Sequence, residues 1–336
     1  MSFQHTNALA SMKIVYSRHY NISFFGIERL HPFDSRKYGR AWNHLRKQFG
    51  PALSSHHISV DRPASDEELR LVHTPEYLRS LRSSEHVAAA LEIPLLRLLP
   101  GWLLAWRVLR PMRWAVRGSV IAAKAALQNG AAVNLSGGYH HAKPGQGEGF
   151  CVYSDIALMV QQLRHEQLLQ PADAVLYVDL DAHQGNGVCH QFQSDRRVFI
   201  FDMYDKDIYP QHDLQARERI DCDLPLPFNC PGHEYLANLR RTLPPFLDAL
   251  AKTNPRLAIY NAGTDVYAGD KLGGLCLSED DVLERDLFVI QQFQRRGIPF
   301  VMVLSGGYSR HSYRLVANTV ARLLQKEEFS SSDKLE

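Results

Sequence analysis

Residues 174–187 read AVLYVDLDAHQGNG: five apolar residues run without a break into Asp179, Asp181 and His183, and the chain then turns through Gly185 and Gly187. A short continuous apolar run that stops at a glycine-rich turn predicts a strand buried on both faces, as in a parallel sheet. Side chains alternate across a strand, so Asp179, Asp181 and His183 share one face while Leu180 and Ala182 share the other. A carboxylate and an imidazole two residues apart therefore aim at one point.

Working outward, the same type of apolar run recurs at 131–135, 198–201, 257–260 and 300–304. Helical signals lie between the runs. Ser65 with Glu68 forms a capping box, an Ala-rich segment sits between Gly118 and Gly130, and residues 155–169 carry apolar side chains at helical spacing. Ser278 with Asp281 opens a further helix that stops at Gly297, just before Pro299. Strands alternating with helices predict an α/β fold, a central mostly parallel sheet with helices on both faces. No repeat or linker divides the chain, so one domain is expected over 1–336, with a core of about 12–325 and frayed ends.

Composition narrows the function. The 336 residues carry 38 Lys+Arg against 36 Asp+Glu, so no concentrated basic charge argues for direct nucleic-acid binding. Five cysteines without a C-x-x-C pair are neither a disulfide framework nor a thiolate zinc site, and with no secretory signal a cytoplasmic setting is expected. The most lipid-like run, IPLLRLLPGWLLAWRVL at 93–109, is broken by two prolines and two arginines. It is expected to be a surface loop or core helix rather than a membrane span.

In open parallel sheets ligands bind outside the C-terminal strand ends. Those ends read SGGYHHA (136–142), DLDAHQGNG (179–187), DMYDKDIYP (202–210), NAGTDVYAGDKLGG (261–274) and SGGYSR (305–310). Asp181 and His183, with Asp265 as the best-placed third ligand, make a two-oxygen, one-nitrogen divalent site with an open position. The plainer alternative is a hydrogen-bonded turn. His140 and His141 follow a glycine turn and can both face the same cavity, whereas His56 and His57 in a polar stretch read as structural. Tyr308, on its own glycine turn, can donate a hydrogen bond to a developing oxyanion.

These segments, with GEGFCVYSDIA (147–157), IVYSRHYNI (14–22) and LHPFDSRKYGRAW (30–42), resemble the zinc-dependent histone deacetylase family, which shares its fold with arginase; the class IV branch is the most similar. The resemblance implies a single-domain arginase/deacetylase-like fold with one catalytic Zn2+ on Asp181, His183 and Asp265. It implies His141 as general base and then acid, His140 as its electrostatic partner oriented by Asp179, and Tyr308 as the donor to the amide carbonyl. It also implies an acyl-lysine tunnel at Gly149, Phe150, Tyr209, Leu272, Gly306 and Gly307. A structural K+ would be held by Asp179, Asp181, His183, Asp202 and Met203. Asn186 stands where many members have Asp as the partner of His141, so His141 should be less basic here.

The expected reaction is removal of an acyl group from lysine side chains of a peptide or protein, long-chain fatty acyl ahead of acetyl. The run 95–106 either walls a groove for such a chain or packs under a loop. A binuclear arginase-like site is disfavoured, because Gly185 and Tyr267 stand two residues beyond His183 and Asp265. A hydrolase of small acetylated amines such as polyamines, and a module that binds acyl-lysine without turnover, remain as rivals.

Overall fold

A computed structural model describes residues 12–23, 34 and 36–332, with side chains as far as Gln325. The expected fraying of the first residues, the start of the 30–42 motif and the last four residues lie outside that range. Eight strands form one sheet: β1 (Lys13–Tyr16), β2 (His57–Ser59), β3 (Ala131–Asn134), β4 (Val175–Asp179), β5 (Val198–Asp205), β6 (Cys222–Leu226), β7 (Leu257–Asn261) and β8 (Phe300–Val303). Their order is β2-β1-β3-β8-β7-β4-β5-β6, and every pairing is parallel.

The five strands predicted from apolar runs are five of the six interior ones, β3, β8, β7, β4 and β5; the sixth, β1, carries no such run. β3, β4, β7 and β8 are buried at every position, which is why their sequences are continuous rather than alternating. The edge strand β2 has three residues and no buried position, and the other edge, β6, holds Pro225. A proline is tolerated at an edge because no neighbour there needs its missing N–H.

Helices Lys37–Phe49, Arg110–Asn129, Asp155–His165, Gly232–Ala249, Glu279–Arg295 and Ser312–Ser332 flank the sheet. Both capping boxes form, at Ser65/Glu68 and Ser278/Asp281. Helix Arg110–Asn129 ends on left-handed Gly130 and packs on β1, β3 and β8. The helix from Asp155 stops at His165, short of the expected 169. The last helix continues beyond Gln325 to Ser332. The run 93–109 is a 3-10 turn, Pro94–Leu98, then Gly101–Leu104 and a π turn, Ala105–Leu109, leading into the long helix. Among the described residues no helix is long and apolar enough to cross a membrane.

The register sets the strand ends level. Asp179 pairs with Asp202 on one side and Asn261 on the other. Just beyond, Arg285 is fully buried and its Nη1 donates to the carbonyls of Leu180 (2.9 Å) and Gly263 (2.7 Å). One guanidinium thus ties the loop after β4 to the loop after β7, the two that carry Asp181 and Asp265.

Candidate active site

Asp181, His183 and Asp265 converge: one ligand atom from each lies within 4.8 Å of the other two, and all three residues are buried. His183 Nδ1 is 3.1 Å from Asp181 Oδ1 and 3.0 Å from Asp265 Oδ2. The second oxygens are held from behind, Asp181 Oδ2 by the Gly306 N–H (2.8 Å) and Asp265 Oδ1 by the Ala182 N–H (3.0 Å). Burial disfavours charge on His183, but the two carboxylates outweigh it and push the ring up to about 10. Burial and the neighbouring Asp181 push Asp265 up to about 7. Burial opposes the charge on Asp181 too, yet His140 and His183 hold it well below the usual carboxylate range. Two inward carboxylates around one ring nitrogen form a donor set that fits a divalent cation.

The paired histidines sit on a turn fixed by Asp155, whose carboxylate accepts from Gly138 N (2.9 Å), Tyr139 N (2.8 Å) and Ser119 Oγ (2.6 Å). Gly138 has φ +84°, and a Cβ there would lie 2.5 Å from the backbone nitrogen of Ser305. Only glycine lets the HH turn lie against the turn that carries Tyr308. The two imidazoles have different partners. His140 Nδ1 lies 2.9 Å from Asp179 Oδ2, and Asn261 Nδ2 donates to Asp179 Oδ1 (2.9 Å). Burial works against protonation of His140, but Asp179 and Asp181 outweigh it and raise its pKa. His141 Nδ1 lies 2.8 Å from Asn186 Oδ1. Burial, reinforced by His140 and His183, holds His141 well below its ordinary value.

Asn186 is in turn oriented. Its Nδ2 donates to Glu148 Oε1 (2.6 Å) and Asp213 Oδ2 (3.2 Å), so its oxygen must face His141. His141 therefore donates through Nδ1 and keeps an unprotonated Nε2. Lys143 Nζ bridges Glu148 (3.1 Å) and Asp213 (3.0 Å).

Tyr308 follows a turn whose N–H groups at 308 and 309 both donate to Asp270 Oδ2. Burial, then Asp265 and Asp181, keeps its phenol protonated far above its ordinary pKa. Its ring meets Phe150 at 5.9 Å and His183 at 6.2 Å. Tyr209 packs edge-on to His141 at 5.0 Å, and Gly149 lies against the same ring. Gly306 backs onto both Asp181 and Asp265, Gly307 onto Thr264 and Ser312. Leu272 donates its N–H to Asp270 Oδ1, at the foot of the Tyr308 turn. A cavity of about 20 Å³ lies behind the histidines, walled by Tyr38, Gly138, Tyr139, Phe150, Cys151 and Tyr308 among others. Asp202 is buried beside Asp179; its Oδ2 accepts from Gly185 N while its Oδ1 has no hydrogen-bond partner among the described residues.

Sequence reading missed several residues that build this site. Lys37, buried, donates to the carbonyls of Ser305 (2.6 Å) and Gly306 (3.1 Å). Asn261, Glu148, Asp213 and Arg285 were also unassigned. Three of these five lie inside the quoted motifs 30–42, 147–157 and 261–274.

A parallel α/β sheet whose strand ends gather two carboxylates, three histidines and a phenol defines a hydrolase of the arginase-like deacetylase fold. The histone deacetylase domain model matches residues 31–324, and the chain belongs to the histone deacetylase family. It is 40% identical to histone deacetylase 2 of Arabidopsis thaliana over 318 residues, 94% of this chain and 79% of that protein. It is 26% identical to the acetoin utilization protein AcuC of Staphylococcus xylosus, over 72% of this chain and 64% of that protein. The crystal structure of the HDA15 HD domain superimposes with a TM-score of 0.72 at 19% identity, covering 95% of this chain and 90% of that one, which establishes the shared fold.

Proposed function

We propose that this chain is a zinc-dependent, class IV-like lysine deacylase that hydrolyses the side-chain amide of acyl-lysine in a peptide or protein. The convergence of His183 Nδ1 with Asp181 and Asp265, beside the free Nε2 of His141, carries this reading. Asp181, His183 and Asp265 would hold the Zn2+, which supplies Lewis acidity toward a carbonyl and a water molecule. His141 Nε2 takes the proton of the attacking water and returns it to the leaving amine. Tyr308 donates its hydroxyl proton as a hydrogen bond to the carbonyl oxygen as charge builds there. His140, held by Asp179, stays cationic more readily than His141 and sets the field around it. Gly149, Phe150, Tyr209, Leu272, Gly306 and Gly307 are proposed to line the acyl-lysine tunnel. The Asp202 oxygen without a hydrogen-bond partner among the described residues supports a structural K+ held by Asp179, Asp181, His183, Asp202 and Met203.

Chain length is proposed as acetyl or another short acyl first. The cavity behind the histidines is about 20 Å³, room for about one water or methyl group. The run 95–106, expected either to wall a groove for a long chain or to pack under a loop, buries Leu96 and Leu104 and exposes Leu95, Leu98, Trp102 and Trp106. A cytoplasmic setting belongs to the same proposal, supported by five cysteines without a disulfide. Turnover of matched acetyl- and myristoyl-lysine peptides with added zinc tests it. His141→Ala and Tyr308→Phe should each lower kcat by about 10²-fold or more. Zinc binding without turnover of either peptide would favour a small acetylated amine as substrate, or a binding role.

A further inference from the structure

Outside the site, the exposed apolar side chains are concentrated in one place. Leu95 (61%), Leu98 (74%), Trp102 (70%) and Trp106 (50%) are four of the nine exposed large hydrophobic residues among the described ones, and they lie within twelve positions. The segment is not loose. Leu96, Leu104, Val108 and Leu109 are buried beneath it, and Pro94 and Pro100 limit its backbone. Trp102, Trp106 and Arg110 follow one another at i, i+4 along a continuous helical run, so they share a face.

Charge along the 93–110 segment has one sign. From Ile93 through Gly147 the sequence contains no Asp or Glu. Arg97 and Arg110 are exposed and make no ion pair among the described residues, and the Arg107 guanidinium lies 4.1 Å from the centre of the Trp106 ring. Next to Trp106, at Ala105, opens a cleft of about 200 Å³ lined by Arg70, Arg79, Arg82 and Arg113 and by one carboxylate, Asp66, with Leu78 and Leu109 on its apolar walls. Asp66 and Glu76 pair with Arg113 and Arg79, which leaves Arg70 and Arg82 without an ion-pair partner among the described residues.

We propose that the face formed by Leu95, Leu98, Trp102 and Trp106, with the arginine-lined cleft beside it, docks this protein onto an anionic phospholipid surface. The leucines enter the acyl boundary and the indoles sit at headgroup level, as in helices that lie in the interface. Arg97 and Arg110 reach outward along apolar stems to lipid phosphates, and the cleft takes a headgroup. The anchor adjoins the catalytic mouth, because Glu92 Oε1 accepts from the N–H of Gly149. Docking therefore holds the active-site entrance near the membrane plane.

The test is co-sedimentation of the full chain with vesicles of phosphatidylcholine alone or with about one-third phosphatidylserine, which models the cytoplasmic leaflet. Association should be at least about tenfold stronger on the mixed vesicles and should fall with added salt. Trp102→Ser with Trp106→Ser should weaken it about tenfold or more, and Arg97→Gln and Arg110→Gln about fivefold each. Leu95→Gln with Leu98→Gln is a second, independent apolar variant, and unchanged melting curves establish that each variant is folded. Absence of binding to mixed vesicles overturns the proposal, as does equal binding by wild type and folded variants. A wild-type dimer in light scattering that the tryptophan variant makes monomeric also overturns it, assigning the face to a second copy.

Discussion

The side-chain oxygen of Asn186 lies 2.8 Å from His141 Nδ1 and is held there by two carboxylates, Glu148 and Asp213, on the amide's other end. A neutral partner orients the ring without stabilising its cation. Burial and two histidine neighbours already depress the His141 pKa well below 6.5. A general base works when neutral, so activity is lost as pH falls through its pKa, and a depressed pKa moves that loss to lower pH. The acid limb of kcat/KM should therefore lie below pH 6.5. A pH–rate profile with an acid limb above that value would contradict the assignment.

Asn186→Asp tests the same relationship from the other side. It places a carboxylate against His141, so the acid limb should move to higher pH. It also replaces the two donated hydrogen bonds to Glu148 and Asp213 with like-charge contacts, which should lower stability. Adding Glu148→Gln should restore stability while keeping the shifted limb. Melting curves and pH profiles of the single and double variants separate the two effects.

Gly306 makes the Asp181–Asp265 cluster intolerant of any side chain there. Its N–H supports Asp181 Oδ2, and a Cβ would lie 2.2 Å from Asp265 Oδ2 and 2.7 Å from Asp181 Oδ2. Gly306→Ala should displace both carboxylates and lower zinc affinity at least about tenfold, as judged by competition with a chromogenic chelator. Unchanged affinity would mean that these carboxylates do not hold the ion.

The central strands were legible because burial on both faces leaves continuous apolar runs. The pairing of Asp181 with His183 was legible too, but its predicted cause is corrected: β4 ends at Asp179, and the two meet in the bend beyond it, where the His183 N–H donates to Asp181 Oδ1, rather than by alternation along a strand. The edge strands were not legible. β2 has no buried position, and β6 alternates exposed and buried residues around a proline, so neither carries an apolar run. The residues that brace the site were hidden for a different reason. Lys37 reaches the Ser305 carbonyl across 268 positions, and Arg285 reaches Leu180 across 105. Such contacts depend on how helices lie over strand ends, which spacing along the chain does not encode. The run 93–109 was readable as non-spanning, but its exposure depends on which of its leucines face the core.

Lys37 gives a prediction that follows from that bracing. Its ammonium is buried and satisfies two carbonyls of the turn that carries Tyr308. Lys37→Met keeps the apolar stem but removes the donor to the Ser305 carbonyl and leaves the Gly306 carbonyl with Thr264 alone. Stability should fall by about 2–4 kcal/mol in urea unfolding, with kcat lowered more than KM is raised. An unaltered melting curve and kcat would show that the turn holds itself.

His73 predicts how the fold responds to acid. Its Nε2 accepts the N–H of Ser154 (2.9 Å), the cap of the helix beginning at Asp155, so the folded ring is neutral. Burial lowers its pKa from 6.5 to about 4. The unfolded chain therefore binds a proton at a pH where the folded chain does not. Above 6.5 both states are neutral and the full stability is present; as pH falls toward about 4 the unfolded state gains, and below that the loss is complete. This one group should remove about 3 kcal/mol across that window. His73→Gln retains an acceptor for Ser154 N but has no proton to gain. Urea unfolding at pH 7 and pH 4.5 should show the variant losing less stability than wild type, by about 2–3 kcal/mol. Equal losses in the two proteins would place the acid sensitivity elsewhere.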